Sequence, residues 1–384
     1  MFEDVVDFIK KIYGTDGPIP LHAPVFTGNE KRYLMDCIDT TYVSSVGQYV
    51  SRFEDVVRDY VGARYAVAVV NGTCALHMAL LLLGVKSDDE VLIPVLTFVA
   101  TANAVSHCGA RPVLVDCERE TLGMSVDKLE EFLQANAFID DDGFCCNSQT
   151  GRRIAACLPV HIFGHPARVD LIVDICEEFR IPVLEDAAES LGSRYKGRHT
   201  GTFGKVGVLS FNGNKIVTTG GGGMIVTDDL PLAQRARHIS TTARITHQWE
   251  FIHDEVGFNY RMTNVNAAVG CGQMENIDFF IRDKRELAQR YQEFFGRRGI
   301  ECLAEPPDCF SNYWLNAIIL QDEDERDRFL EFTNRQGIMT RPVWRLMTRL
   351  VMYEDCQSTN LDTAQWLEKR VVNIPSGVMK KIGR

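Results

Sequence analysis

From Tyr65 onward, short runs of apolar, β-branched residues alternate with longer stretches of helical character, and this alternation most limits what the chain can fold into. Parallel neighbours need a crossover long enough to hold a helix, so such a pattern predicts an open, mainly parallel sheet with helices on its faces. The runs are YAVAVV (65–70), EVLIPV (90–95), RPVLVDC (111–117), IAACLPVHIF (154–163), IPVLEDA (181–187), VGVLSF (206–211) and MIVTDD (224–229). They are apolar on both faces, as strands covered on both sides must be. Helices are expected over 73–83, 99–107, 125–135 and 169–179; Ser125 with Asp127 and Glu130 behind it marks a start with acids at the positive end. The Asp-, Gly- and Asn-rich stretch from Ile139 to Arg153 reads as an exposed loop or hairpin.

After Arg261 the pattern becomes a long, charged, amphipathic helix from Asn266 to about Arg298, then WLNAIIL (314–320) and a helix from Glu323 to Gln336. Two units are therefore expected: residues 1–262 with the sheet and an N-terminal arm, and 263–384 as a smaller C-terminal α/β unit. The chain's 384 residues suffice for cores of that size. Lys and Arg number 41 against 52 Asp and Glu, a net charge of −11, which argues against nonspecific binding to a nucleic-acid backbone. The start, MFEDVVDFIKK, carries acids where an export signal carries basic residues. The most apolar region, 65–85, is interrupted by Asn71, Gly72 and His77, short of the ~18 uninterrupted apolar residues of a membrane span. A cytoplasmic protein with neither membrane nor nucleic-acid partner is expected. Twelve scattered cysteines without a C-x-x-C pair suggest neither a zinc site nor a disulfide framework.

Four places are candidates for chemistry. Asn71-Gly72-Thr73 joins a strand to a helix, where glycine admits close approach and helix N–H groups favour a phosphate; an ordinary capped turn uses the same residues. Glu185-Asp186 ends a strand, where side chains enter the ligand crevice of an open sheet, and Asp186 suits a bond to a protonated ring nitrogen. A salt bridge or a helix cap is the plainer reading of the pair. Lys215 follows a buried strand in a loop of Asn and Gly ahead of Gly220–Gly223, a setting for a Schiff-base lysine or for a solvated one. The glycine run lacks the spacing of a nucleotide P-loop. His161 and His165 lie four apart, but on a strand exit broken by Gly164 and Pro166, so hydrogen-bonded structural histidines are expected there rather than a metal.

Taken in order, several segments resemble the pyridoxal-phosphate-dependent sugar aminotransferases of the DegT/DnrJ/StrS family over nearly the whole chain. They are PLHAPVFTGNE (20–30), YVSSVGQYVSRFE (42–54), NGTCALHMAL (71–80), PVLTFVATANAV (94–105), LEDAAES (184–190), SFNGNKIVTTGGGG (210–223) and GFNYRMTNVNAA (257–268). The resemblance implies a fold-type I enzyme with pyridoxal 5'-phosphate as cofactor. Lys215 would hold it covalently and shuttle the proton, and Asp186 would pair with the pyridinium nitrogen. Phe98 would stack on the ring and Glu189 would approach its hydroxyl. Gly72, Thr73 and Ser210 would cradle the phosphate, with Asn259 reaching it from the neighbouring subunit of a homodimer. A dehydratase branch that carries His in place of the lysine is excluded by Lys215. Gly221 stands where relatives often carry Glu.

The tail segments RPVWRLM (341–347), YEDCQ (353–357) and KRVVNIPSG (369–377) resemble the subgroup acting on UDP-linked 4-keto-6-deoxy-N-acetylhexosamines of bacillosamine-type glycan pathways. L-Glutamate is the expected amino donor. Ser45, Arg341, Trp344 and Arg345 are the expected substrate contacts, with Arg349 a further cation nearby. A GDP- or dTDP-linked keto sugar is the alternative within the family. A NAD-dependent nucleotide-sugar oxidoreductase and a noncatalytic binding protein are the alternatives outside it.

Overall fold

In the computed structural model, which describes residues 2–379, the seven runs become strands. They are β1 (Tyr65–Val69), β2 (Glu90–Pro94), β3 (Arg111–Val115), β4 (Ile154–Cys157), β5 (Leu184–Asp186), β6 (Val206–Ser210) and β7 (Gly223–Thr227). Ladders join β1-β7-β6-β5 and β3-β2-β4, and parallel bridges Cys157–Val183 and Val160–Asp186 link β4 to β5. The order across the sheet is thus β1-β7-β6-β5-β4-β2-β3, with β7 antiparallel to both its neighbours.

Two of the runs yield shorter strands than expected. The run 154–163 is a strand only to Cys157, and Ile162–Gly164 forms a single tight turn with Phe163 at φ 56°. The run 181–187 is a strand only from Leu184. Proline explains both: Pro159 and Pro182 have no N–H for a ladder, and each serves as an acceptor instead, for Asp186 and Cys157 respectively.

The helices are α1 (Phe2–Tyr13), α2 (Glu30–Asp39), α3 (Gln48–Val61), α4 (Gly72–Leu82), α5 (Val99–His107), α6 (Val126–Asn136), α7 (Val169–Glu178), α8 (Leu230–Ser240), α9 (Asn264–Met274), α10 (Ile277–Gly296) and α11 (Glu323–Arg335). The helix expected over 266–298 is two, because Asn276 leaves the helical region at φ −116°, ψ 7°. Its side-chain amide reaches back to the Gly272 carbonyl, the local competition that makes Asn a helix breaker. Between Ile139 and Arg153 the chain forms a hairpin, 137–139 pairing with 145–147.

Side-chain alternation along β1 divides the core. Val67 and Val69 join the cluster of α4 and α5, while Ala66 and Ala68 face that of α2, α3 and α9. There Phe53 and Phe211 are fully buried and meet edge to face at 4.8 Å. Burial of a side chain of that size contributes about 2–3 kcal/mol. A second sheet, antiparallel throughout, has the order β8 (Glu301–Cys302), β9 (Asn316–Ile319), β11 (Val371–Ile374), β10 (Arg341–Pro342). Val5, Ile9, Leu287, Tyr291 and Phe329 pack with Ile374, so α1 shares a core with α10, α11 and this second sheet. On this packing we propose a boundary after Met274, with α1 on the C-terminal side, in place of a cut at 262/263.

Candidate active site

Five backbone segments converge beyond the carboxyl ends of the parallel strands, where open sheets hold their ligands. Asn71 caps α4, its Oδ1 accepting the Cys74 N–H at 2.8 Å. The N–H groups of Gly72 and Thr73 in the first turn have no acceptor within the helix. A Cβ at Gly72 would lie 3.0 Å from Ser210 Cβ and 3.1 Å from its Oγ, and one at Gly223 would lie 2.4 Å from the Asn71 carbonyl. Only glycine lets the α4 start nest against the end of β6, leaving a small cradle lined by N–H groups and the Ser210 hydroxyl.

β5 delivers two carboxylates to opposite faces. Glu185 points away from the cavity and is fully buried. It accepts N–H groups from Gly201 (2.7 Å), Phe203 (2.5 Å) and Gly204 (2.7 Å) and faces His161 Nε2 at 3.0 Å. Burial pushes this carboxyl up, but His161 and the backbone donors outweigh burial and hold it below its ordinary value. His161 Nδ1 accepts the Ala167 N–H at 3.1 Å, which places the ring proton on Nε2. His161 is thus a bonded structural histidine, as expected. His165 differs: both its ring nitrogens are buried without a hydrogen-bond partner among the described residues. No group of side chains suited to a metal ion occurs among those residues.

Asp186 points into the cavity. Its Oδ2 accepts the Thr101 hydroxyl at 2.9 Å and its Oδ1 the Ala188 N–H at 3.1 Å. Burial raises its carboxyl above the ordinary range, with Thr101, Ala188 and Lys215 opposing. Glu189 is also raised by burial, against Lys215 and the Phe163 N–H, which donates to Oε2 at 2.9 Å.

Lys215 sits in a turn after β6, with only 12% of its side chain exposed. Its Nζ is 3.2 Å from Glu189 Oε1 and 3.8 Å from the centre of the Trp314 ring. Trp314 Nε1 donates to the Asn214 carbonyl at 2.7 Å, so the indole grips both the lysine loop and the amine. Behind it, the fully buried Lys284 donates to the Trp314 carbonyl at 3.0 Å and to the Ser376 carbonyl. Phe98, 52% exposed, faces the cavity 6.1 Å from Trp344, which lies 5.1 Å from Phe163. The enclosed volume is about 300 Å³.

One cavity therefore collects a nearly buried amine, a carboxylate on its floor, an aromatic face and an anion cradle at a helix start. Residues 25–380 match the DegT/DnrJ/EryC1/StrS aminotransferase family. The chain belongs to that family. It is 37% identical over 358 residues to a GDP-perosamine synthase of Escherichia coli O157:H7, covering 93% of each chain. It is 35% identical over 373 residues to EpsN of Bacillus subtilis, named a putative pyridoxal phosphate-dependent aminotransferase, covering 96% of this chain and 91% of that one. The crystal structure of the aminotransferase TlmJ from Streptoalloteichus hindustanus superposes with a TM-score of 0.84 at 28% identity, over 94% of both chains. This member of the family is a pyridoxal-phosphate-dependent sugar aminotransferase of the fold-type I class. The NAD-dependent oxidoreductase and the noncatalytic binding protein are thereby set aside. No helix of the described residues is long and apolar enough to cross a membrane.

Of the residues singled out from sequence, the cavity brings together Gly72, Thr73, Phe98, Asp186, Glu189, Ser210, Lys215 and Trp344. Ser45, Arg341 and Arg345 do not line it. Arg341 lies on the edge strand β10 and turns to Asn334 Oδ1 (2.9 Å) and the Thr340 carbonyl (2.8 Å), while Arg349 pairs with Glu368 at 3.0 Å. Asn259, which the resemblance assigns to a neighbour's site, is exposed and bridges to Thr241. Asn71 of the candidate turn lines the cavity too, and the cavity adds Thr97, Thr101, Asn214 and Trp314, none of them assigned a role from the sequence. Thr101 had a signal: it lies three residues after Phe98 in the first turn of α5, on the same side of that turn.

Proposed function

We propose that the enzyme moves an amino group from L-glutamate to the keto carbon of a GDP-linked 4-keto-6-deoxy sugar, working as a homodimer. The carrying observation is Lys215 Nζ held between Glu189 Oε1 and the Trp314 ring in the cavity whose floor is Asp186. The donor set fits pyridoxal phosphate: Gly72, Thr73 and Ser210 for its phosphate, Phe98 for its face, Asp186 for its ring nitrogen, and Glu189 beside its hydroxyl. When bound, that cofactor supplies a carbonyl for amines and a ring that draws off electron density.

The chain's own residues do the rest. Asp186, charged, keeps a proton on the ring nitrogen by a charge-assisted bond. Lys215 would hold the cofactor and, with its amine free, would move a proton to and from the substrate carbon, a double duty open to a single positioned amine. Glu189 and Trp314 hold that amine in place between the two transfers. Trp344, backed by the buried Phe163, walls the side of the cavity and limits access of water.

A GDP nucleotide takes the place of the UDP nucleotide expected from the tail segments because of the 37% identity, along 93% of both chains, with a protein named for a GDP-linked product. The dimer is supported by large apolar side chains left exposed in one region of sequence, Trp249 at 70%, Phe251 at 75% and Val256 at 85%. It is supported too by charge: Lys215 is the sole basic side chain among the described residues lining the cavity, too few for an anionic cofactor, donor and nucleotide sugar. Steady-state kinetics with GDP-, UDP- and dTDP-linked 4-keto sugars test the reading. Parallel double-reciprocal lines with glutamate and the highest kcat/KM for the GDP sugar are expected. Intersecting lines would remove the single-site shuttle, and preference for UDP or dTDP would remove the nucleotide assignment.

A further inference from the structure

The Asp186 carboxylate is held by one backbone N–H and one hydroxyl, and the hydroxyl has a backing of its own. Thr101 Oγ1 lies 2.9 Å from Asp186 Oδ2 and 3.0 Å from Thr97 Oγ1. Thr97, Thr101 and Asp186 are all buried, so bulk water does not compete for these bonds. An ionised carboxylate only accepts, so the Thr101 proton must point at Asp186, and Thr101 must accept from Thr97. The Thr97 hydroxyl has the Phe98 carbonyl as its other acceptor, but at 3.4 Å. The order of donation is therefore Thr97 to Thr101 to Asp186. Because Thr101 lies one turn after Phe98, a single turn of α5 carries both the aromatic face of the cavity and the support of its floor.

We propose that Thr101 is the positioning residue for Asp186: its hydroxyl keeps the carboxylate ionised and aimed into the cavity, and through it holds the proton on the cofactor's ring nitrogen. This rests on the proposed pairing of Asp186 with that nitrogen. The titratable groups facing Asp186 are Lys215 from the turn after β6, Glu189 from its own segment and His161 from the stretch after β4. Burial drives the Asp186 carboxyl towards its neutral form, and the Thr101 bond is the foremost influence in the other direction. Without that bond the carboxyl competes for the proton, which moves off the ring nitrogen.

Thr101→Val removes the hydroxyl at nearly constant shape, and Thr101→Ser restores it. The readouts are the 15N chemical shift of ring-labelled pyridoxal phosphate bound to each protein, the pH dependence of that shift, and kcat set against KM. For Thr101→Val the shift should move towards that of the unprotonated ring, and kcat should fall roughly ten- to hundredfold, the worth of a hydrogen bond to a charged group. KM for the keto sugar should stay within about twofold, and Thr101→Ser should recover the shift and most of the rate. Asp186→Asn should move the shift fully. If it does so while Thr101→Val leaves shift and kcat unmoved, the role of Thr101 is overturned alone. If Asp186→Asn leaves the shift unmoved, the pairing of Asp186 and the role of Thr101 fall together. Should Thr101→Val not fold, Thr101→Ala takes its place with the same outcomes.

Discussion

His165 is a buried imidazole whose replacement should make the protein more stable in acid. It is fully buried, stands edge-on to Tyr313 at 5.0 Å, and has no hydrogen-bond partner for either ring nitrogen among the described residues. Burial brings its pKa down from 6.5 to about 4, with Glu305 opposing and Arg285 assisting. The unfolded chain therefore takes up a proton near pH 6.5 that the folded chain refuses until near pH 4. The stability held by the neutral ring is complete above pH 6.5 and lost as pH falls towards 4. The full drop, at 1.36 kcal/mol for each pH unit between the two values, is about 3 kcal/mol, of which about 2 kcal/mol is gone by pH 5. His165→Phe keeps the ring and its contact with Tyr313 and removes both orphan nitrogens. Urea unfolding at pH 8 and pH 5 should show the variant losing about 2 kcal/mol less than the native protein between the two, and at pH 8 it should be the more stable by about 1 kcal/mol. His199, also brought down to about 4 by burial, is unchanged in the variant and leaves a residual slope in both proteins. Equal losses of stability for the two proteins between pH 8 and pH 5 would refute the reasoning.

Lys215→Ala should abolish turnover while circular dichroism and Tm stay near native, since the side chain lies in a turn and the role proposed for it is covalent; activity retained without added amine would refute it. Asp186→Asn should cost roughly 10²–10³ in kcat, as loss of a charge aimed at the reacting system does, while cofactor absorbance after gel filtration persists because the phosphate cradle is intact. Gly72→Val, whose Cβ would meet Ser210 at 3.0–3.1 Å, should weaken cofactor binding roughly ten- to hundredfold in a fluorescence titration of the apoprotein. Glu185→Gln should lower the stability read by urea unfolding by about 3 kcal/mol, because an amide cannot accept from three N–H groups and His161 as a carboxylate does, while the bound cofactor's spectrum stays unchanged.

The sheet was legible because buried parallel strands leave an unmistakable trace, apolar on both faces and separated by helix-length connections. Its strand ends were not, since the apolar runs continue through Pro159 and Pro182 while the ladder stops for want of an N–H. The break at Asn276 was hidden in the same way by an apolar period that persists across it. In the site, Asp186 and Gly72 stood out because the one ends a strand and the other begins a helix, and Lys215 because it follows a buried strand in a loop of Asn and Gly; such positions face the crevice of an open sheet. Thr101 and Trp314 did not: a threonine inside a helix, marked only by its spacing from Phe98, and a tryptophan at the head of an apolar run are ordinary, and tertiary packing brings them to Asp186 and Lys215. Arg341 and Arg345 are expected from the sequence as substrate contacts, with Arg349 nearby, yet none of the three lines the cavity. Charge does not set direction, and the edge-strand position of Arg341 turns it to Asn334 instead.

Glu185 and Asp186 show how one dipeptide serves two ends. Both are carboxylates on the same short strand and both are buried, so composition and position along the chain do not separate them. The twofold period of the strand sends Glu185 to the back, where three N–H groups and His161 outweigh burial and hold its carboxyl below the ordinary value. It sends Asp186 to the front, where one N–H and one hydroxyl leave burial dominant and its carboxyl above that value. A saturated carboxylate has no lone pair to spare for a ligand and serves to tie the turn at 201–204 to the sheet. An under-coordinated one is costly to bury in the free protein, and a protonated ring nitrogen would relieve that cost, so the same deficit that strains Asp186 suits it to the proposed pairing. On that account, added donors at Asp186 would stabilise the free protein at the expense of cofactor affinity, which makes a lone hydroxyl from Thr101 a suitable compromise: enough to aim the charge, too little to satisfy it.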